Sequence, residues 1–104
     1  MQAVLNSTRP IQTSDNATKL DTLLKMLVDA DQKTKNEIEN RIVNMGEGIA
    51  NLLVDRLQKV KGTQRGVIAM SLIRLGECSI APLKRLALNS NEFQWIANYL
   101  ISEI

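Results

Sequence analysis

Chemically reactive side chains are few in this sequence of 104 residues. It contains no histidine, so the commonest general base and the commonest metal ligand are both absent. The single cysteine, Cys78, follows Gly76 and Glu77 at a predicted helix start, where the positive end of the helix dipole could activate a thiol. Because there is no histidine to act as a base and the neighbouring residue is acidic, Cys78 is better explained as a small residue at the helix start.

Two pairs of carboxylates have a spacing that could form an acid–base pair: Asp29 with Asp31, and Glu37 with Glu39. Neither pair falls in a predicted apolar pocket, so solvated charges or helix caps explain both pairs better. The Gly-Glu-Gly run at 46–48 lacks the third glycine and the preceding strand of a dinucleotide-binding loop. The sequence therefore predicts a protein that is not an enzyme and that uses neither a cofactor nor a metal.

The composition is typical of one small helical domain. The chain is 44% hydrophobic and 23% charged, with a net charge of +2, which excludes the disordered class. No apolar run approaches the ~20 residues that would be needed to span a bilayer. No secretory signal is visible at the start of the sequence, and a lone cysteine fits a reducing compartment. We therefore expect a cytoplasmic protein with no membrane association.

Helical periodicity appears only after the first segment of the chain. Residues 1–14 are polar and contain Pro10, which predicts a flexible N-terminal arm. From residue 15 onward, apolar residues recur at the spacing of amphipathic helices. Asp31 and Thr63 are predicted N-caps, and glycines follow two of the helices. Together these signals predict six helices, over residues 16–28, 32–45, 47–60, 64–75, 79–88 and 92–104.

The helices repeat along the chain with a period of about 30 residues, which is within the range of helical repeat proteins. Residues 68–73 match residues 96–101 at four of six positions, and the Gly-Glu pair at 46–47 recurs at 76–77. Leu23 and Leu27 likewise recur as Leu53 and Leu57. A helix pair cannot bury its apolar stripe alone, so repeated pairs stack on one another. The sequence therefore predicts three helix pairs stacked in order.

Residues 49–76 resemble the short bacterial HEAT repeat, also called the phycobilisome-lyase-like type. The resemblance rests on Arg65 early in the second helix and on the closing run at 72–77, Leu-Ile-Arg-Leu-Gly-Glu. It covers residues 16–104, although the turns lack the usual Asp-Pro and Gly66 stands where a helix former is expected. The resemblance implies an all-α, right-handed solenoid of about three antiparallel helix pairs over residues 15–104, acting as a scaffold or adaptor.

In this family, the second helix of each pair lines the concave side of the solenoid. Helical angles measured from Ile38 and Ile42, carried forward by the repeat, predict which side chains are exposed there. Trp, Tyr and Met are enriched at the centres of protein interfaces, with arginine often beside them. Alternatively, the aromatic residues of the last helix seal the open end of the core. The predicted partner-binding residues are Val67, Met70, Arg74, Trp95, Tyr99 and Arg41.

The leading hypothesis is thus a non-catalytic module that binds another protein through its second-helix face. The alternative is a nucleic-acid-binding protein that uses a basic stripe on the same face, made of Lys33, Lys35, Arg41, Arg65 and Arg74. An even spread of charge makes a nucleic-acid partner the weaker prediction. A pigment–protein lyase is suggested only by the name of the repeat type. The last helix stays apolar to Ile104, which makes a homodimer through that helix a further possibility.

Overall fold

The computed structural model describes residues 15–104, and the predicted N-terminal arm at 1–14 lies outside the described residues. Helix α1 covers residues 15–25. It is followed by α2 (Gln32–Asn44), α3 (Ala50–Leu57), α4 (Gly62–Leu75), α5 (Ile80–Asn89) and α6 (Gln94–Glu103). Two short 3₁₀ turns, Glu47–Ile49 and Gly76–Ser79, lead into α3 and α5. Residues 15–104 contain no strand, which confirms the predicted all-α class.

The helix starts agree with the sequence in part. The Asp31 carboxylate accepts a hydrogen bond from the backbone N–H of Thr34 at 2.8 Å, as expected of an N-cap. The prediction of Thr63 as a cap was wrong, because α4 already begins at Gly62 and Lys61 occupies the cap position. Helix α6 starts at Gln94, after a turn in which the Ser90 hydroxyl accepts from the Phe93 N–H.

Two glycines set the direction of the chain between helices. Gly46 follows α2 with φ 91° and ψ −179°, and Gly76 follows α4 with φ 78° and ψ −136°. Both conformations have positive φ, in a region of the Ramachandran plot that residues other than glycine rarely adopt. In both places a glutamate follows the glycine and a 3₁₀ turn leads into the next helix, so the same change of direction occurs after α2 and after α4.

Each helix packs mainly against helices near it in the sequence. Helix α4 contacts α2, α3 and α6, while α5 contacts α3 and α6. The side chain of Arg56 on α3 reaches Asp21 on α1, and Gln64 of α4 donates to the Leu24 carbonyl at 2.8 Å. One continuous core results, which is built largely from leucine and isoleucine and includes Leu20, Leu27, Ile38, Ile42, Leu53, Leu57, Ile68, Leu72, Leu83 and Leu100.

The run Gly62–Asn89 is 28 residues long and contains an 18-residue window of mean hydropathy 1.4, enough by length and composition to cross a membrane. The sequence-based expectation that no such run exists is therefore not met. In the fold, this run comprises α4, a 3₁₀ turn and α5, and its backbone turns at Gly76. Its side chains supply part of the core, because 39% of the window is buried against other helices.

Candidate interaction surface

Three large apolar side chains predicted for the binding surface are exposed to solvent. Met70 on α4 is 50% exposed, and Trp95 and Tyr99 on α6 are 69% and 56% exposed. Trp95 and Tyr99 are one helical turn apart, so they lie side by side on the surface of α6. The exposed side chains of α2, α4 and α6 are called the second-helix face below. Its apolar content is concentrated on α4 and α6, which pack against each other.

Val67 is not part of this exposed surface. Its side chain is only 8% exposed, so the expectation that it projects from the second-helix face was wrong. Ser71, one turn later, is fully buried, and its hydroxyl donates to the Val67 carbonyl at 2.8 Å. The prediction carried the angles of α2 onto α4. However, α4 packs against both α2 and α6, so it buries a flank that α2 leaves exposed.

Arg74 is exposed, but it is already engaged with the neighbouring helix. Its Nη1 donates to Oε2 of Glu39 and to Oδ1 of Asn40, both at 2.9 Å. Glu39 and Asn40 belong to α2, so Arg74 joins α4 to α2. Arg41 on α2 is also exposed, and it lines a groove beside α1. Arg74 and Arg41 therefore lie in different surroundings, and they do not form one continuous basic stripe.

Arg65 is the third arginine of the predicted basic stripe, and it points into the fold. Its Nε donates to the Leu57 carbonyl at 3.1 Å, and its guanidinium carbon lies 5.2 Å from the centre of the Phe93 ring. A guanidinium over an aromatic face at this distance is a cation–π contact. Arg65 thus ties the start of α4 to the end of α3 and to the turn before α6.

Cys78 and Asp31, two of the candidate reactive groups, have structural partners. Cys78 is half-buried, and its Sγ lies 3.5 Å from the Leu75 carbonyl oxygen within the 3₁₀ turn. Asp31 caps α2, and the hydrogen bond from the Thr34 backbone lowers the pKa of its carboxyl below the ordinary value. Asp29 lies in the preceding turn with φ 61°. Within residues 15–104, no cluster of three or more acidic, cysteine or histidine side chains could hold a metal ion.

A cluster around Arg56 was not anticipated from the sequence. Its Nε lies 2.7 Å from Oδ1 of Asp21 on α1, and its Nη1 bonds the adjacent Asp55. The hydrogen bond from Arg56 lowers the pKa of Asp21. Burial raises the pKa of Asp55, but hydrogen bonds from Lys59 and Arg56 outweigh that effect and lower it. Only the fold brings Arg56 and Asp21 together, because they lie 35 residues apart.

Two surface grooves were also missed. One, of about 290 Å³, lies between α3 and α5, where Arg85 donates to Asn51 at 2.9 Å. The other, of about 380 Å³, lies between α1 and α2 and is lined by Thr18, Lys19, Thr22, Leu23, Met26, Arg41 and Met45. The apolar positions that line these grooves follow helical spacing, but the sequence alone does not show which helix flanks stay uncovered.

Comparison of the chain with protein-family models finds no match. Comparison with curated proteins and with solved structures likewise finds no match. The function is therefore inferred from the arrangement of the side chains described above.

Proposed function

We propose that residues 15–104 form a short, right-handed, HEAT-like solenoid of three helix pairs, α1–α2, α3–α4 and α5–α6. In support, the buried positions of the first helices recur in the same spacing: 20, 23, 24 and 27; then 50, 53, 54 and 57; then 79, 82, 83 and 86. The contacts of α2 with α4, of α4 with α6 and of α3 with α5 agree with pairs stacked in chain order.

We further propose that this chain is a non-catalytic interaction module that binds another protein through the second-helix face. The anchors are Met70, Trp95 and Tyr99, and Arg41 orients the partner from the edge. The exposure of Trp95, at 69%, is the observation on which the proposal rests. An indole that sealed the core would be buried, because leaving it in water forgoes the gain from burying its large apolar surface.

The alternative of a nucleic-acid-binding protein has less support. Neutralising several phosphates requires a row of arginine or lysine side chains available to the backbone. Arg74 bonds Glu39 and Asn40, and Arg65 bonds the Leu57 carbonyl and covers Phe93. Two of the five cations expected in the stripe are thus already engaged by other groups of the chain. Methionine and aromatic side chains, by contrast, suit a protein partner.

The test is affinity capture from an extract of the source cells, using the wild-type chain, Trp95→Ala and Leu88→Ala. Leu88 is the matched control, since it is 84% exposed but lies on α5, away from the second-helix face. We expect a protein that the wild type and Leu88→Ala retain and that Trp95→Ala loses. Circular dichroism should show unchanged helix content in both variants, because neither side chain is buried.

Salt dependence separates the two binding classes. Retention through apolar anchors should survive a rise in salt, whereas a nucleic-acid complex should weaken by orders of magnitude as counterions compete. Capture of nucleic acid that is lost at high salt and is unaffected by Trp95→Ala would favour the alternative. Melting of the domain by Trp95→Ala would show instead that the indole belongs to the core.

A further inference from the structure

The groove between α1 and α2 has an apolar floor and a basic rim. Leu23, Met26 and Met45 supply the apolar surface, and Lys19 and Arg41 supply the cations. Met26 is 48% exposed, which is high for a long apolar side chain. Among residues 15–104, no carboxylate lines the groove. Lys19 forms an i,i+4 ion pair with Asp15 at 3.2 Å, but both side chains are more than half exposed, so this pair is weak and leaves the ammonium group open to a partner.

This groove lies on the flank of the first helix pair that faces away from the second pair. The opposite flank is marked by Asp21 on α1, which bonds Arg56 of α3, and by Glu39 on α2, which bonds Arg74 of α4. Lys19 is two residues before Asp21, and Arg41 is two residues after Glu39. In a helix, two residues correspond to a rotation of about 200°, so each cation and its neighbouring acid face opposite sides.

The second helix pair shows what such a flank is built to receive. On that pair, the corresponding flank carries Ile49 and Ser71, which are 1% and 0% exposed. It also carries Arg56 and Arg74, whose bonds to α1 and α2 identify it as the flank against the first pair. One repeat earlier, Lys19 and Arg41 stand at the positions of Ile49 and Ser71. The groove is therefore the surface that, one pair later, is covered by helices.

Charge indicates the chemistry of the occupant. At the contact between the first two pairs, arginines of the later pair donate to carboxylates and an amide of the earlier pair. Lys19 and Arg41 face outward on the first pair with the same polarity, so the matching occupant carries carboxylates. Residues 1–14 contain neither aspartate nor glutamate, so they cannot supply those carboxylates. The acidic groups must come from residues other than this segment.

We propose that the α1–α2 groove binds an amphipathic, acidic helix of another protein. The apolar stripe of that helix packs on Leu23, Met26 and Met45, in the way that amphipathic helices bind to hydrophobic grooves. Its glutamates or aspartates pair with Lys19 and Arg41. Methionine suits this role because its flexible, polarisable side chain adapts to the shape of a partner. The groove shares Arg41 with the second-helix face but none of the apolar anchors Met70, Trp95 and Tyr99, so either proposal can fail alone.

The experiment uses a synthetic helical peptide of about 14 residues, which gives about four turns. The peptide has leucines at i, i+3, i+4 and i+7, and glutamates at the other exposed positions. The full-length chain carries ¹³C-labelled methionine methyl groups. We expect the Met26 and Met45 methyl signals to shift on titration, while the signal of Met70 on α4 stays in place as an internal control.

Two comparisons make the result decisive. Replacing the glutamates of the peptide by lysine should weaken binding by about tenfold or more, since like charges then meet at the rim. The double variant Lys19→Glu and Arg41→Glu should do the same for the acidic peptide and should restore binding of the lysine peptide. Lys84→Glu, at an exposed position of α5, is the matched control and should leave the affinity for the acidic peptide unchanged.

The proposal is overturned if both peptides bind equally, if the acidic peptide does not bind, or if it shifts Met70 and leaves Met26 unmoved. Met26 and Met45 signals that change with protein concentration in the absence of peptide would identify a second copy of the chain as the occupant. Signals that move in a full-length Leu5→Asp variant without peptide would assign the groove to residues 1–14. Either result would replace the acidic partner.

Discussion

At the scale of single residues, the contacts of Arg56 show how one polar side chain joins distant parts of the sequence. Its Nε and Nη2 donate to the two carboxylate oxygens of Asp21, at 2.7 and 3.2 Å. Two parallel bonds of this kind fix the geometry of both side chains and are stronger than bonds between neutral groups. The Arg56 side chain is only 18% exposed, so water competes with these bonds less than at an open surface.

This pair gives the stability of the protein a dependence on acid. The bond from Arg56 lowers the pKa of Asp21 below its ordinary value of 3.8. A lowered pKa in the folded state stabilises the protein above the unfolded pKa, and that stabilisation is lost as the pH falls through the folded pKa. We expect the free energy of unfolding to fall below about pH 4, and to fall less steeply in Asp21→Asn. Urea unfolding between pH 2 and pH 7 measures both slopes.

The cause can be tested separately with Arg56→Gln. In that variant, an NMR titration of the Asp21 carboxyl carbon should give a pKa closer to the ordinary value, because the charged donor is gone. An Asp21 pKa that stays where it is in the wild type would show that Arg56 is not the origin of the shift. The pKa of Asp55 provides a second measurement, because Arg56 also lowers it and its loss should raise it.

At the scale of helices and turns, replacing two glycines by alanine should change the stability of the protein in opposite directions. Gly76 has φ 78°, so Gly76→Ala should destabilise the protein by about 1–3 kcal/mol through backbone strain. Gly66 lies inside α4, and a Cβ added there meets nothing within 4 Å. Gly66→Ala should therefore stabilise the protein by about 0.5–1 kcal/mol. Chemical unfolding of both variants gives the two signs, and a loss of stability for both would contradict this reading of α4.

The elements were predicted well from the sequence where local signals act alone. Leucine spacing, the Asp31 cap and the two Gly-Glu pairs located helices that the structure confirms. The burial of Val67 was predicted wrongly because it depends on a neighbour, α2, that no local pattern describes.

The candidate interaction surface was also predicted correctly only where local helical geometry decides it. Exposure of Met70, Trp95 and Tyr99 follows from helical angle, so it was correct. The engagement of Arg74 by Glu39 and the α1–α2 groove depend on how helices that are distant in the sequence approach each other. Angles within one helix carry no information about that approach, so neither feature was visible in the sequence.

At the scale of the whole molecule, the position of α4 should set the order in which amide hydrogens exchange. Helix α4 packs against α2, α3 and α6, and Ile68 and Leu72 in it are fully buried. We expect their amides to exchange at rates close to those set by global unfolding, while amides of α1 and of the last turn of α6 exchange faster through local opening. Hydrogen exchange followed by NMR measures this order. Equal protection from α1 to α6 would indicate a single cooperative bundle instead.

The bend at Gly76 also affects how much of the protein a cell maintains. It folds the apolar run Gly62–Asn89 into two helices whose side chains supply part of the core. When the chain unfolds, the apolar side chains of that run become exposed to water, and exposed apolar segments are what chaperones and proteases recognise. A substitution that weakens the bend would thus lower the amount of protein in the cell through quality control, even if every side chain that contacts a partner were unchanged.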